Sequence, residues 1–250
     1  MNRKTLIPGF CVAALLSAGV LAVYADGGFS QAKPFIYDPA KTHLVQGAWL
    51  DGIGCPTGAK VALYPSTTPN GTFTAAGCPT GDSSDKTNQG LLLVKTGPGQ
   101  NNASAGAVLK NVKGITLTDL GYDLRKPGAT QNDPRGSHCD NGAARFNVTT
   151  SDGFWAVGCN SPPPTVLVSG NGWMRLRWAP VGYKDNVSLS AITGTVVSIS
   201  IVFDDGQDVG PDNFGVAILD NIDINGVLVG QGKVGESSDS GDRTGDNGQD

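Results

Sequence analysis

The chain has 250 residues, a formal net charge of −4, 36 glycines, 15 prolines and only 16% charged residues. That balance supplies neither a basic field for nucleic acid nor a polybasic patch for anionic lipid, and long Leu/Ala/Glu/Lys helical runs are missing after the first 25 residues. What remains is an all-β protein of short strands and tight turns.

Residues 1–25 have the layout of a cleaved secretory signal: a basic Asn2-Arg3-Lys4 start, an apolar run from Leu6 to about Val23, and small residues at the cleavage site ending in Ala25. Cleavage there predicts a secreted protein, extracellular or periplasmic, with no membrane contact. It also removes Arg3 and Lys4 and takes the net charge to about −6. Residues 26–42 read as an N-terminal extended segment and 43–232 as one β-sandwich domain. The last stretch, 233–250 (KVGESSDSGDRTGDNGQD), reads as a disordered acidic tail because it lacks apolar periodicity.

Turn dipeptides punctuate the domain: Asp51-Gly52, Asn70-Gly71, Asn141-Gly142, Asp152-Gly153, Asn171-Gly172, Asp205-Gly206 and Asn225-Gly226. Between them, strands are predicted at His43–Leu50, Lys60–Tyr64, Leu91–Thr96, Ala107–Val112, Ile115–Leu120, Arg145–Thr150, Phe154–Gly158, Thr165–Ser169, Trp173–Trp178, Thr195–Asp204, Gly215–Asn225 and Val227–Val229. Pro162-Pro163-Pro164 marks a stiff connection.

Four cysteines follow the signal: Cys55, Cys78, Cys139 and Cys159. In a secreted chain they point to two disulfides, with three connectivities open. Cys55–Cys78 and Cys139–Cys159 are favoured because each pair brackets one local segment. Without a C-x-x-C pair, a four-thiolate zinc site is the weaker reading.

Alternation assigns faces to two late strands. Val197, Ile199, Ile201 and Phe203 are expected to face a core, with Ser198 and Ser200 outward. In the next strand Val216, Ile218, Asp220, Ile222 and Ile224 form one row, so Asp220 interrupts a core-facing set. A buried carboxylate must be paired, hydrogen-bonded or metal-bound.

The segment FDDGQDVGPDNFGVAILDNIDING resembles the closing strands of jelly-roll β-sandwiches in carbohydrate-binding modules and related secreted bacterial domains. The stretch LGYDLR…SHCDNGAARFNVTTSDG…VGCN resembles uncharacterised secreted bacterial proteins of the same kind. Together they cover roughly residues 114–232. The resemblance implies a jelly-roll topology and a structural calcium ligated by the aspartate at the position of Asp220. Asp204, Asp205, Asp208, Asp212 and Asn213 add oxygen donors nearby in sequence. The competing expectation is that Asp220 pairs with an arginine such as Arg145, or accepts backbone N–H groups.

A ligand face is expected on Trp173-Met174-Arg175-Leu176-Arg177-Trp178. With Met174, Leu176 and Trp178 in the core, Trp173, Arg175 and Arg177 lie on the other face, where an aromatic plate beside planar donors suits a sugar ring. Trp155 is the second aromatic of this kind. The plainer expectation is that both arginines pair with cross-strand aspartates.

Catalysis is disfavoured. Gly81-Asp82-Ser83 resembles the start of a hydrolase motif that would make Ser83 a nucleophile, but such enzymes need a late histidine, and only His43 and His138 exist. There is no G-x-S-x-G elbow, and the single glutamate, Glu236, lies in the tail. The sequons at Asn70, Asn102, Asn147 and Asn186 are as frequent as chance allows. The expectation is a non-catalytic binder of carbohydrate or cell-envelope glycan, with a surface-assembly protein as the alternative and a hydrolase behind both. A binder should expose aromatics near Trp173 or Trp155, and an assembly protein should expose an apolar patch or an unpaired strand edge.

Overall fold

The computed structural model describes residues 28–56, 63–65, 72–74, 78, 80–96, 103–126, 144–158, 165–169, 173–204, 214–235 and 238–239. In chain order these form β1 (Gln31–Tyr37), β2 (Val45–Leu50), β3 (Leu63–Pro65), β4 (Thr72–Thr74), β5 (Gly90–Thr96), β6 (Ser104–Lys110), β7 (Leu120–Arg125), β8 (Arg145–Thr150), β9 (Gly153–Val157), β10 (Thr165–Ser169), β11 (Trp173–Trp178), β12 (Val181–Lys184), β13 (Ser188–Ala191), β14 (Val196–Phe203), β15 (Phe214–Ile224), β16 (Val227–Val229) and β17 (Ser238–Asp239). The described residues include no helix. The expected pair Cys139–Cys159 and the candidates His138, Asp205, Asp208, Asp212 and Asn213 lie outside them.

Two sheets pack face to face. Sheet A has the order β13-β12-β9-β8-β14-β6-β1-β17, and sheet B the order β10-β11-β7-β15-β5-β2, with β16 paired to β15. β3 and β4 form a separate hairpin. Among the described residues pairing is antiparallel except for the short parallel contact of β17 with β1 and the parallel bridge of Val234 to Trp49.

The strand order is that of a jelly roll. β5 pairs β15, β6 pairs β14, β7 pairs β11 and β8 pairs β9, which is one long hairpin ladder. Rolling the ladder up creates two further neighbours, β7 with β15 and β8 with β14. The result is two four-stranded sheets, 5-15-7-11 and 6-14-8-9, and the other strands extend their edges.

The core lies between the sheets. Leu91, Leu93, Tyr122, Leu124, Met174, Leu176, Ala217 and Leu219 from sheet B meet Ala105, Ala107, Phe146, Val148, Trp155, Ile199, Ile201 and Phe203 from sheet A. Tyr122 anchors the centre: its ring stacks on Phe146 at 5.3 Å, meets Trp178 edge-on at 5.1 Å, and its hydroxyl donates to the carbonyl of Ala144.

Three sequence expectations change here. Val197 is 47% exposed, not core, because a bulge between Val196 and Ser198 inserts it into β14; Val196 takes the buried place. Ile115–Leu120 is a loop, not a strand, and β7 begins at Leu120. The Asn225 side chain accepts from the backbone N–H of Thr118 (2.8 Å) and donates to the carbonyl of Thr116 (2.8 Å), taking groups a ladder would use. The segment read as an extended leader supplies β1.

The C-terminal segment closes the β1/β2 side. Val234 bridges Trp49, Gly235 donates to the Trp49 carbonyl at 3.3 Å, and β17 runs beside β1, so part of 233–250 is paired. Gly232 lies so close to the Trp49 indole that a Cβ there would sit 2.1 Å from Cδ1.

Candidate functional site

The alternation expected for β11 holds. Met174, Leu176 and Trp178 belong to the inter-sheet core, and Trp173, Arg175 and Arg177 face away from it. That outward face of sheet B is not open. The expected Cys55–Cys78 disulfide forms and packs with Trp173 and Ile218, leaving Trp173 fully buried.

On this outer face two rows of charged groups cross β11, β7 and β15, the first of them beside the disulfide. In the first, Arg175 stands opposite Asp123, which stands opposite Asp220. Arg175 donates through Nε to Asp123 Oδ1 at 2.7 Å and through Nη2 to Oδ2 at 2.8 Å. Its Nη1 reaches the Thr80 hydroxyl at 2.6 Å, and Nη2 also bonds the Thr80 carbonyl. In the second row Arg177 stands opposite Gly121, which stands opposite Asp223. A Cβ on Gly121 would meet Arg177 Cδ at 2.4 Å, so only glycine lets the arginine lie across β7 to reach Asp223 at 2.8 Å.

A bulge sets the placement of the aspartates. The register of β15 against β7 shifts between Asp220 and Asp223, and Asn221 has a positive φ of 45°. Before the bulge, Ala217 and Leu219 face the core; after it, Ile222 and Ile224 do. Asp220 therefore sits not in the core-facing row but on the covered outer face. Asparagine tolerates the left-handed conformation, and its side chain is used as well. Nδ2 donates to Asp123 Oδ2 at 2.8 Å, and Oδ1 accepts from the Asp82 N–H at 2.9 Å.

Asp220 is 1% exposed and accepts from the N–H groups of Cys55 at 2.6 Å and Asn221 at 2.5 Å. Burial, reinforced by the neighbouring Asp123 charge, pushes its carboxyl well above the ordinary carboxylate range against those two bonds. Burial likewise raises Asp223, opposed mainly by Arg177. Arg175 is the reverse case: burial works against its charge, but the Asp123 bonds and the nearby carboxylates outweigh it and hold the guanidinium above its ordinary value.

Asp220 meets hydrogen-bond donors. Asp204 is gripped by Arg145, with both contacts at 2.7 Å, so Arg145 serves Asp204 and not Asp220. Among the described residues the only metal-ligand grouping is Cys55, Cys78 and Asp123, and its two sulfurs are spent in the disulfide. Among the described residues, the oxygens of Asp220 and Asp204 thus meet hydrogen-bond donors, while the other expected calcium donors, Asp205, Asp208, Asp212 and Asn213, lie outside them.

The remaining candidates do not converge. Trp155 is 1% exposed, in the core, with its indole N–H on the Ser190 hydroxyl at 2.9 Å, and so presents no open aromatic face. The His43 N–H bonds Asp38, and the Ser83 carbonyl accepts from Lys86. Asn147 is buried in β8, and Asn186 is exposed in the turn after β12. Asp123, the partner that completes the site, was readable in principle: in LGYDLR it alternates with Leu120, Tyr122 and Leu124.

The outward face of sheet A has another character. One register row runs Leu189–Tyr183–Ala156–Asn147–Ser200–Val108–Lys33. Its ends are exposed, with Tyr183 at 37%, while Asn147 and Ser200 in the middle are 9% and 7% exposed. Thr149 and Ser198 are paired beside them, with Phe154 opposite Thr149. Comparison of the chain with family models, curated proteins and solved structures returns no match.

Proposed function

We propose that this is a secreted, non-catalytic binding protein whose ligand is a carbohydrate or cell-envelope glycan, held on the outward face of sheet A. The observation that carries the reading is the recessed polar floor of Asn147 and Ser200, with the Arg145 guanidinium donating to Asn147 Oδ1 at 3.3 Å and Tyr183 exposed farther along the same row. Amide and hydroxyl groups match sugar hydroxyls, and a phenol ring offers a flat apolar plate with a polar tip. This moves the ligand face away from Trp173, Arg175, Arg177 and Trp155, all of them buried or engaged with other residues.

The non-catalytic part rests on where the reactive groups lie. Arg175, Asp123 and Asp220 lie beside the Cys55–Cys78 disulfide, and their bonds, like those of Arg177 and Asp223, go to each other, to Thr80 and to backbone N–H groups. Secretion rests on the signal-like first 25 residues and agrees with a disulfide, which persists in oxidising compartments.

The test is a glycan array probed with residues 26–250, followed by titration of any hit against Tyr183→Ala. The expected result is specific binding that weakens roughly tenfold or more, the equivalent of about 1.4 kcal/mol, at an unchanged melting temperature. Absence of glycan binding, or binding indifferent to Tyr183, overturns the reading.

A further inference from the structure

We infer that β13 is a self-pairing edge, through which two copies of the chain join sheet A to sheet A about a two-fold axis centred on Leu189. The inference goes beyond glycan binding and does not depend on it.

The hydrogen-bond phase of the β12–β13 hairpin is fixed by two contacts. Ile192 donates to the Pro180 carbonyl at 2.7 Å, and Asp185 donates to the Phe154 carbonyl at 3.1 Å. With Tyr183 opposite Leu189 and Val181 opposite Ala191, the even-numbered residues of β13 bond to β12. The N–H and C=O groups of Leu189 and Ala191 therefore point away from the sheet. Among the described residues no strand pairs with that side.

Edges of this kind are normally blunted by charge, proline or burial. Here the stretch from Asn186 to Phe203 carries no charged residue and no proline. Leu189 is 48% exposed, Val187 just before the strand 81%, and Tyr183 beside it 37%, so half of the six exposed large apolar side chains among the described residues sit on this one hairpin.

The occupant follows from the sequence of the edge itself. Val187-Ser188-Leu189-Ser190-Ala191 has the same pattern in both directions. In an antiparallel pair centred on Leu189, Leu189 meets its own copy, Ser188 meets Ser190, and Val187 meets Ala191. Outward and inward residues stay matched, no like charges meet, and the apolar stripe Tyr183–Leu189 continues into the second copy. A partner with its own sequence would not call for this symmetry. The interface is small, so the dimer is weak, with a Kd on the order of 10–100 μM.

Sedimentation equilibrium of residues 26–250 across that range, with amide hydrogen exchange on the same samples, tests it. The expected result is a monomer–dimer equilibrium in which the Leu189 and Ala191 amides exchange more slowly as concentration rises. Leu189→Lys should be monomeric with an unchanged melting temperature, because the side chain is half exposed. Leu189→Cys should form an intermolecular disulfide on oxidation, since residues paired in this way place their Cα atoms about 5.5 Å apart. A protein monomeric to about 1 mM overturns the inference, as does a dimer that leaves the Leu189 amide unprotected or survives Leu189→Lys. Capture of a foreign extended peptide by a strictly monomeric protein overturns it too.

Discussion

Arg175 and Asp123 face each other across β11 and β7, and the guanidinium takes both carboxylate oxygens, at 2.7 and 2.8 Å, with the aspartate fully buried. Breaking one side of such a pair leaves a buried charge alone. Arg175→Met is expected to lower unfolding free energy by about 3–5 kcal/mol, which corresponds to about 10 °C in melting temperature for a domain of this size. Combining it with Asp123→Leu should recover much of the loss. Additive effects in urea titrations of the single and double variants would show that the pair is not coupled.

The pH dependence has a definite sign. The Asp220 carboxyl is raised by burial and by Asp123, so the folded state holds its proton more tightly than the unfolded state does. Its contribution is fully present below the ordinary value of 3.8 and is lost as pH rises through the raised folded value. Asp51 and Asp152 behave oppositely: hydrogen bonds lower them, and their contributions disappear only as pH falls below 3.8. Unfolding measured from pH 8 down to pH 4 should therefore show the unmodified protein gaining stability relative to Asp220→Asn. Parallel curves would contradict this.

Replacing Cys55 and Cys78 together by alanine reopens a loop with a sequence separation of 23 residues. The chain-entropy cost is about 3 kcal/mol. The same change strips the cover from Trp173, so indole emission should shift to the red in the folded protein. Unchanged emission would mean that other groups seal that face.

At the bulge, Asn221→Gly keeps the backbone conformation but loses two side-chain bonds, one buried and one part-buried, whereas Asn221→Ala loses both the bonds and the tolerance of positive φ. Alanine should be the more damaging by about 1 kcal/mol. Equal losses in chemical denaturation would remove conformational strain from the account.

Melting temperatures in millimolar calcium and in chelator are expected to agree, because the oxygens of Asp220 and Asp204 face N–H donors. A calcium-dependent rise would locate an ion at donors beyond these two.

What could be read from the chain, and what could not, divides along physical lines. The faces of β11 and the Cys55–Cys78 bridge follow from alternation and local spacing, and the structure has both. The bulges at Val197 and Asn221 were hidden, because one inserted residue reverses every later face without changing composition. The burial of Trp173 was hidden for another reason. Alternation separates two faces of a strand but does not say which is covered, and the covering cysteines lie about a hundred residues earlier. Asn225 shows a third limit: one side chain removes the backbone groups of Thr116 and Thr118 from any ladder, and no periodicity records that.

The strand order also governs when the molecule can become itself. Leu91 must find Leu219, and Phe35 must find Ser238, so the decisive pairings join the beginning of the chain to its end. Loop closure over such spans is slow, so these closing pairs form after the nearer ones, β2 with β5, β1 with β6 and β8 with β9. A ribosome would release β15 only after those nearer ladders have emerged, so the two sheets stay unclosed until the last long strand arrives.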